Sequence, residues 1–332
     1  MSVLWDIAAG VFGLTFYGVV LGLLFCGVDR VLVARMQARL GPPVLQPFRD
    51  VAKLMHKQDM VPEHAVGSIY RLAPVAALAG AVSVLFYLPL GGLGDGVLAG
   101  RGDAILVLYL LLIPGLAMVL GGFASGSPYA SIGAQREMVT MVSYELPLAA
   151  VILTFAWRLD RMGVADPFSL SAMSANPIWA GSGVLGILGA LMLLAAMLAV
   201  TPGELGRIPF DSAEAETELA GGILVEYSGR SLALFELAAA VKTVAMCGVL
   251  TALFLPWNLS DWVAWPRGVA GVADLLFFML KSGLLMFVGV SVVRAGMARF
   301  RITDVVKTYW KKLGVLALAG MALVALDVIW KL

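Results

Sequence analysis

Eight apolar runs dominate the chain, near residues 7–28, 72–91, 104–124, 138–158, 182–201, 231–255, 272–294 and 313–330. Each is about as long as a helix needs to cross roughly 30 Å of hydrocarbon. The pattern predicts an all-α polytopic membrane protein, with residues 1–332 forming one membrane domain and further amphipathic and acidic helices in its loops. Composition agrees: 61% of residues are hydrophobic and 14% charged, whereas a soluble domain carries about 25% charge. Glycine is frequent inside the runs, as expected where membrane helices approach closely. The first run does not read as a cleaved leader, because MSVLWD has no basic residue ahead of it.

What the chain lacks narrows its chemistry. Two cysteines and two histidines cannot ligate an iron–sulfur cluster or a four-ligand metal site. The glycine-rich Gly91–Gly102 loop has no phosphate-binding lysine. A net charge of +1 with dispersed basic residues argues against a nucleic-acid partner. Any redox centre is therefore expected on another chain.

Lysine and arginine set the expected orientation. The first, third, fifth and seventh loops carry 16 of them; the termini and the even loops carry 5. The positive-inside rule then puts the odd loops in the cytoplasm and both termini outside.

The densest charge lies in the fifth loop. Arg207–Tyr227 reads RIPFDSAEAETELAGGILVEY and carries Asp211, Glu214, Glu216, Glu218 and Glu226, with Glu204 just ahead. Six of the 22 acidic residues thus fall between 204 and 226. If Ser212–Ala220 is helical, Asp211, Glu214 and Glu218 share one face and Asp211 caps the helix. Like charges that close raise one another's pKa, so some are expected to hold protons near neutral pH. A solvated acidic helix is the plainer alternative; the flanking membrane runs favour the protonated cluster.

Other ionisable groups stand out by depth. In the first loop Arg49, Asp50, Lys53 and Lys57 recur beside Phe48, Val51, Leu54 and Met55, an amphipathic helix suited to the membrane interface. Arg136 and Glu137 sit at the edge of the fourth span, and Glu145 about two turns inside it. Glu236 and Lys242 lie in the sixth span and Lys281 in the seventh. Such groups are costly in hydrocarbon and usually face a polar cavity or a partner. Six residues turn a helix by about 240°, so Glu236 and Lys242 need separate partners; Glu145 is one candidate for either lysine. No inverted repeat with matching broken helices is visible, which weakens the case for a self-contained transporter.

RLGPPVLQPFRDVAKLMHKQ, REMVTMVSYELP and the stretch from Glu204 through RIPFDSAEAETELAGGILVEY together resemble one family over nearly the whole chain. It is the complex I membrane protein called subunit 1 or the H subunit, with its relatives in energy-converting [NiFe] hydrogenases. Gly41-Pro42 runs almost directly into Gln46-Pro47, and threonine stands at 140 where complex I members usually carry glutamine. These departures point to the Ech-type or CO-linked hydrogenase branch and away from a tight quinone site, with complex I as the alternative.

The resemblance implies that the first, third and fifth loops meet under a peripheral arm. That arm would hold iron–sulfur clusters and a [NiFe] centre on hydrogenase large and small subunits and electron-transfer subunits. An antiporter-like membrane subunit would be a further partner, in the inner membrane. Glu145, Glu204, Glu214, Glu216, Glu218 and Glu226 match the family's acidic path; Asp211, Glu236, Lys242 and Lys281 join them as path candidates. Arg39, Arg49, Asp50, Lys53, Arg136, Glu137 and Arg207 would face the arm. A stand-alone transporter and a purely structural anchor are the other classes, and the ionisable groups inside the spans argue against an anchor. A cysteine placed at Ser212 is expected to react with an impermeant reagent only from the cytoplasmic side; labelling of intact cells would overturn the orientation.

Overall fold

The computed structural model describes residues 2–90, 98, 102–263 and 266–331, so the Gly91–Gly102 loop lies almost wholly outside the described residues. Eight helical segments among the described residues are long and apolar enough to span a membrane. They are α1 (Ser2–Met36), α3 (Gly67–Leu85), α4 (Ala104–Ala124), α5 (Pro128–Arg161), α7 (Val184–Glu204), α9 (Gly229–Phe254), and two composite spans. The seventh span is α10 (Arg267–Met286), a π turn (Phe287–Ser291) and α11 (Val292–Gly296). The eighth is α12 (Ile302–Lys307), a second π turn (Thr308–Leu313) and α13 (Gly314–Lys331). Loop helices are α2 (Gln46–His56), α6 (Leu170–Ala175) and α8 (Glu216–Leu219).

The expected spans are present, and two start about ten residues earlier than hydropathy alone places them. The fourth begins at Pro128, where proline at the first turn gives up no helical hydrogen bond. Its polar first turns are held because Gly133 lies against the backbone of Ala213 and Gly222. The last begins at Ile302 because Val305 and Tyr309 turn inward and are fully buried.

α9 is the central helix. It is apolar on most sides apart from Glu236 and Lys242, and 89% of its span is buried, against 28% for the last span. α1, α2, α3 and α10 pack around it, while α5, α7 and α13 form a second group joined through α4. Phe48, Val51 and Met55 of α2 pack on Leu23, Leu237 and Ala240, so the amphipathic helix seats its apolar face on α1 and α9 as well as at the membrane edge.

Small residues let these helices meet. A Cβ on Gly22 would lie 2.3 Å from the Ala240 carbonyl oxygen, so α1 touches the backbone of α9 there. Gly22→Ala must push the helices apart and is expected to destabilise by about 1–3 kcal/mol. Gly13, which faces open space on the same helix, should accept alanine without loss. Thermal unfolding of the two purified variants compares them directly.

Candidate functional site

The buried charge of the protein is centred on α9. Lys242 Nζ lies 2.8 Å from Glu204 Oε1, with the side chains 7% and 0% exposed. Glu204 ends α7, so the pair fastens the central helix to the second group. It also answers the question left by the spacing: the lysine's partner is Glu204, not Glu145. Leaving either charge unpaired here would cost several kcal/mol.

A cavity of about 50 Å³ opens beside the pair. It is lined by Glu137, Glu204, Asp211, Glu214 and Lys242, with Pro114, Met118 and Phe235 as apolar walls. Glu137 is buried and faces this cavity, which corrects its expected place at the docking surface. Glu214 is pushed up to about 7, first by burial and then by the nearby Glu137 carboxyl. It is thus poised to exchange a proton near neutral pH. The hydroxyls of Tyr144 and Tyr309 are buried beside this pair, and the Tyr144 hydroxyl interacts with the Glu204 carboxyl, which is ion-paired to Lys242. Tyr309 stands with its hydroxyl against Gly203, at a point no side chain at 203 could share.

The fifth loop folds differently from the helix its spacing suggests. Only Glu216–Leu219 is helical; Ser212 to Glu214 form turns. Ala220, Gly221 and Gly222 all take positive φ, and the chain turns back so that the Ile223 amide donates to the Ala213 carbonyl at 3.2 Å. The three carboxyls therefore do not share a face. Asp211 does not cap a helix but pairs with Arg299 at 2.5 Å. Glu218 is half exposed and pairs with Arg136 at 2.6 Å. Asp211 and Glu214 both line the cavity, and of the two Glu214 is the one without an ion pair to Arg299. Repulsion within one helix is thus replaced by repulsion across the cavity, from Glu137. Ser212 is buried, so an exposed position such as Glu218 is the better labelling site for orientation.

The remaining predicted residues separate into groups. Glu236 lines a second cavity of about 110 Å³ with Cys26, Asp29, Asp50, Arg207 and Arg294, between α1, α2 and α9. It faces away from Lys242, as their spacing predicts. Arg207 donates to Cys26 Sγ at 3.6 Å. Arg39, Arg49 and Lys53 are exposed, whereas Asp50 pairs with Arg30 at 2.8 Å. The Arg30 guanidinium holds the Asp50 carboxyl below its usual range. Glu226 is half-buried and lies outside the lining of the acidic cavity; the side chain of Glu216 is not among the described ones. Lys281 lies outside the lining of the acidic cavity too. Its ammonium donates to the carbonyls of Leu255 and Trp257 at 2.7 and 2.6 Å and lies over the Phe277 ring, capping the end of α9.

Glu145 is half-buried on a face of α5 shared with the exposed Met138, Val142 and Leu153. It looks out of the bundle at membrane depth, next to the inward Tyr144.

Sequence reasoning missed Asp29, Arg294, Arg299 and Tyr309. Asp29 accepts from Ser291 Oγ and Arg294 Nη1, both at 2.6 Å, tying α1 to the seventh span. An acid at the end of an apolar run was a visible signal for Asp29; the other three sit among surface-like basic residues and gave none.

The chain as a whole is similar to known proteins. The NADH dehydrogenase family model matches residues 9–325. The H subunit of the NADH-quinone oxidoreductase of Brevibacillus brevis is 32% identical, over 98% of this chain and 94% of that one. Hydrogenase-4 component C of Escherichia coli is 33% identical over 89% of each chain. Formate hydrogenlyase subunit 4 of the same organism is 31% identical, over 91% of this chain and 94% of its own. A chain of the membrane-bound sulfane sulfur reductase, an archaeal respiratory membrane complex, superposes with a TM-score of 0.82 at 26% identity, covering 96% of this chain and 99% of that one. The eight-span chain with its buried Lys242–Glu204 pair therefore belongs to the NADH dehydrogenase family.

Proposed function

We propose that this chain is the ion-coupling membrane subunit of an energy-converting [NiFe] hydrogenase of the Ech or CO-linked kind. It would link hydrogen chemistry in a peripheral arm to movement of protons or sodium across the inner membrane. The observation that carries the reading is the buried Lys242–Glu204 pair with Glu137 and Glu214 on one cavity. A fold that needed only an anchor would replace such a pair with apolar side chains at no loss of stability.

The chain's own groups suggest a sequence of events. Glu214, on the side expected to be cytoplasmic, holds a proton below about pH 7 and loses it above. A charge change in the docked arm shifts that balance, and Glu137 receives the proton across the cavity. A proton on Glu137 or Glu204 alters how strongly Lys242 is neutralised, so loading one acid favours release from the other. Tyr144 stands between this cluster and Glu145. Because Glu145 faces outward, the line continues only into a neighbouring membrane subunit of antiporter type. The [NiFe] centre and the iron–sulfur clusters belong to the hydrogenase large and small subunits and the electron-transfer subunits, reached over the exposed Arg39, Arg49 and Lys53.

The short Gly41–Gln46 connection, Thr140, and the similarity to hydrogenase-4 component C and formate hydrogenlyase subunit 4 support the hydrogenase branch. The second reading is the corresponding membrane chain of a complex I-type enzyme, at a quinone site. It is favoured by the near full-length match to the NADH-quinone oxidoreductase chain of Brevibacillus brevis. The purified complex is expected to evolve hydrogen from a low-potential donor and to be insensitive to quinone-site inhibitors. Quinone reduction at a comparable rate, blocked by those inhibitors, reverses the choice.

The pair itself is tested by two variants. Glu204→Gln leaves a buried lysine without its anion and should destabilise the protein by about 3–5 kcal/mol. Adding Lys242→Met should recover most of that stability while ion translocation stays lost. Recovery of translocation together with stability would make the pair a structural strut.

A further inference from the structure

The acidic loop is gripped from the seventh loop. Arg299 lies between α11 and α12 and meets Asp211 with two parallel hydrogen bonds, Nε to Oδ1 at 2.8 Å and Nη2 to Oδ2 at 2.5 Å. Its Nη1 donates to Thr217 Oγ1 at 3.3 Å. The next amide, Phe300 N, donates to the Pro209 carbonyl at 2.9 Å. The Phe300 ring meets Phe210 edge-on at 5.6 Å, and Phe210 lies on Tyr309 at 4.6 Å. One segment therefore holds the loop on both sides of Glu214, at Pro209–Asp211 and at Thr217.

We infer that Arg299 is a positioning residue of the ion path: its fork on Asp211 seats the fifth loop so that Glu214 faces Glu137 across the acidic cavity. This rests on the coupling function proposed above. A planar guanidinium suits the task because it binds a carboxylate in two places and fixes its angle as well as its distance. The pair is sheltered, with Asp211 11% and Arg299 25% exposed, so it is screened less than a surface contact. Hydrogen bonds to charged groups are each strong enough to shift a two-state ratio roughly tenfold.

The seat also governs the proton on Glu214. That carboxyl feels the charges of Glu137, Arg207, Glu236 and Asp211, and shares its cavity with Glu137, Asp211, Glu204 and Lys242. Burial is the largest cause of its raised affinity. Releasing the loop to water removes that cause, and the carboxyl returns toward the ordinary range. Loss of the arginine's positive charge acts the other way, but as the smaller effect.

The test uses the whole complex in sealed vesicles. In Arg299→Gln, hydrogen exchange of the backbone amides from Asp211 to Leu219 is expected to rise roughly tenfold. The infrared carboxyl band assigned through Glu214→Gln should lose its proton well below pH 7, and ions moved per electron pair should fall. Asp211→Asn should do the same, and the double variant no more than either alone. Arg299→Lys, which keeps the charge and loses the fork, should recover only part. An unchanged Glu214 titration in Arg299→Gln, or additive effects in the double variant, overturns the inference. Glu204→Gln in the same vesicles separates the two claims. If it leaves translocation intact, the coupling function fails, while the seat is judged by exchange and titration alone.

Discussion

The Lys242–Glu204 pair is the constraint on which the arrangement depends. A lysine in the middle of the most buried helix is tolerable only with an anion within hydrogen-bonding distance. That requirement draws the end of α7 against α9 and brings Glu137 of α5 to the same place. The two helical groups are thus joined at their most polar point. Apolar packing supplies most of the stability, but it does not by itself choose which helix lies opposite Lys242; the charge does.

Around that pair the protein disperses its like charges. The acidic stretch looks in sequence like a concentration of negative potential, and folding takes it apart. Asp211 goes to Arg299 and Glu218 to Arg136, leaving Glu214 to turn inward. The exposed Arg136–Glu218 pair contributes little to stability on its own. Its effect is to direct the Glu218 carboxyl outward while Glu214 stays at the cavity. The third, fifth and seventh loops are sewn together by these pairs. The first loop is tied to the start of α9, where Ser231 Oγ donates to Asp59 at 2.8 Å.

Much of this was legible in the chain. Apolar run length gave the eight spans, depth singled out Glu145 and Lys242, and the density of charge singled out Glu204 and Glu214. What could not be read was pairing. Helical spacing at 211, 214 and 218 implied a common face, because i, i+3, i+7 is the only geometry one segment offers in isolation. The actual loop is set by long-range partners and by the left-handed turn at Ala220–Gly222. Glu137 was misplaced for a related reason: hydropathy marks where a span becomes polar, and here the helix continues inward as a buried polar turn. Lys281 read as a path residue because lysine within a span signals function; in the fold its ammonium binds the carbonyls of Leu255 and Trp257, just past the end of α9.

The outward Glu145 bears on how such a protein is made. A chain inserted alone presents a carboxyl to hydrocarbon, at a cost of about 3 kcal/mol on insertion scales if it is ionised. Held as the neutral acid, it still carries a donor and an acceptor with nothing to meet them in lipid. A neighbouring protein that covers this face removes the penalty at the moment it docks. The same residue is thereby a measure of whether assembly has finished, since a bundle left without its neighbour keeps an unsolvated group on its surface and is the less stable for it.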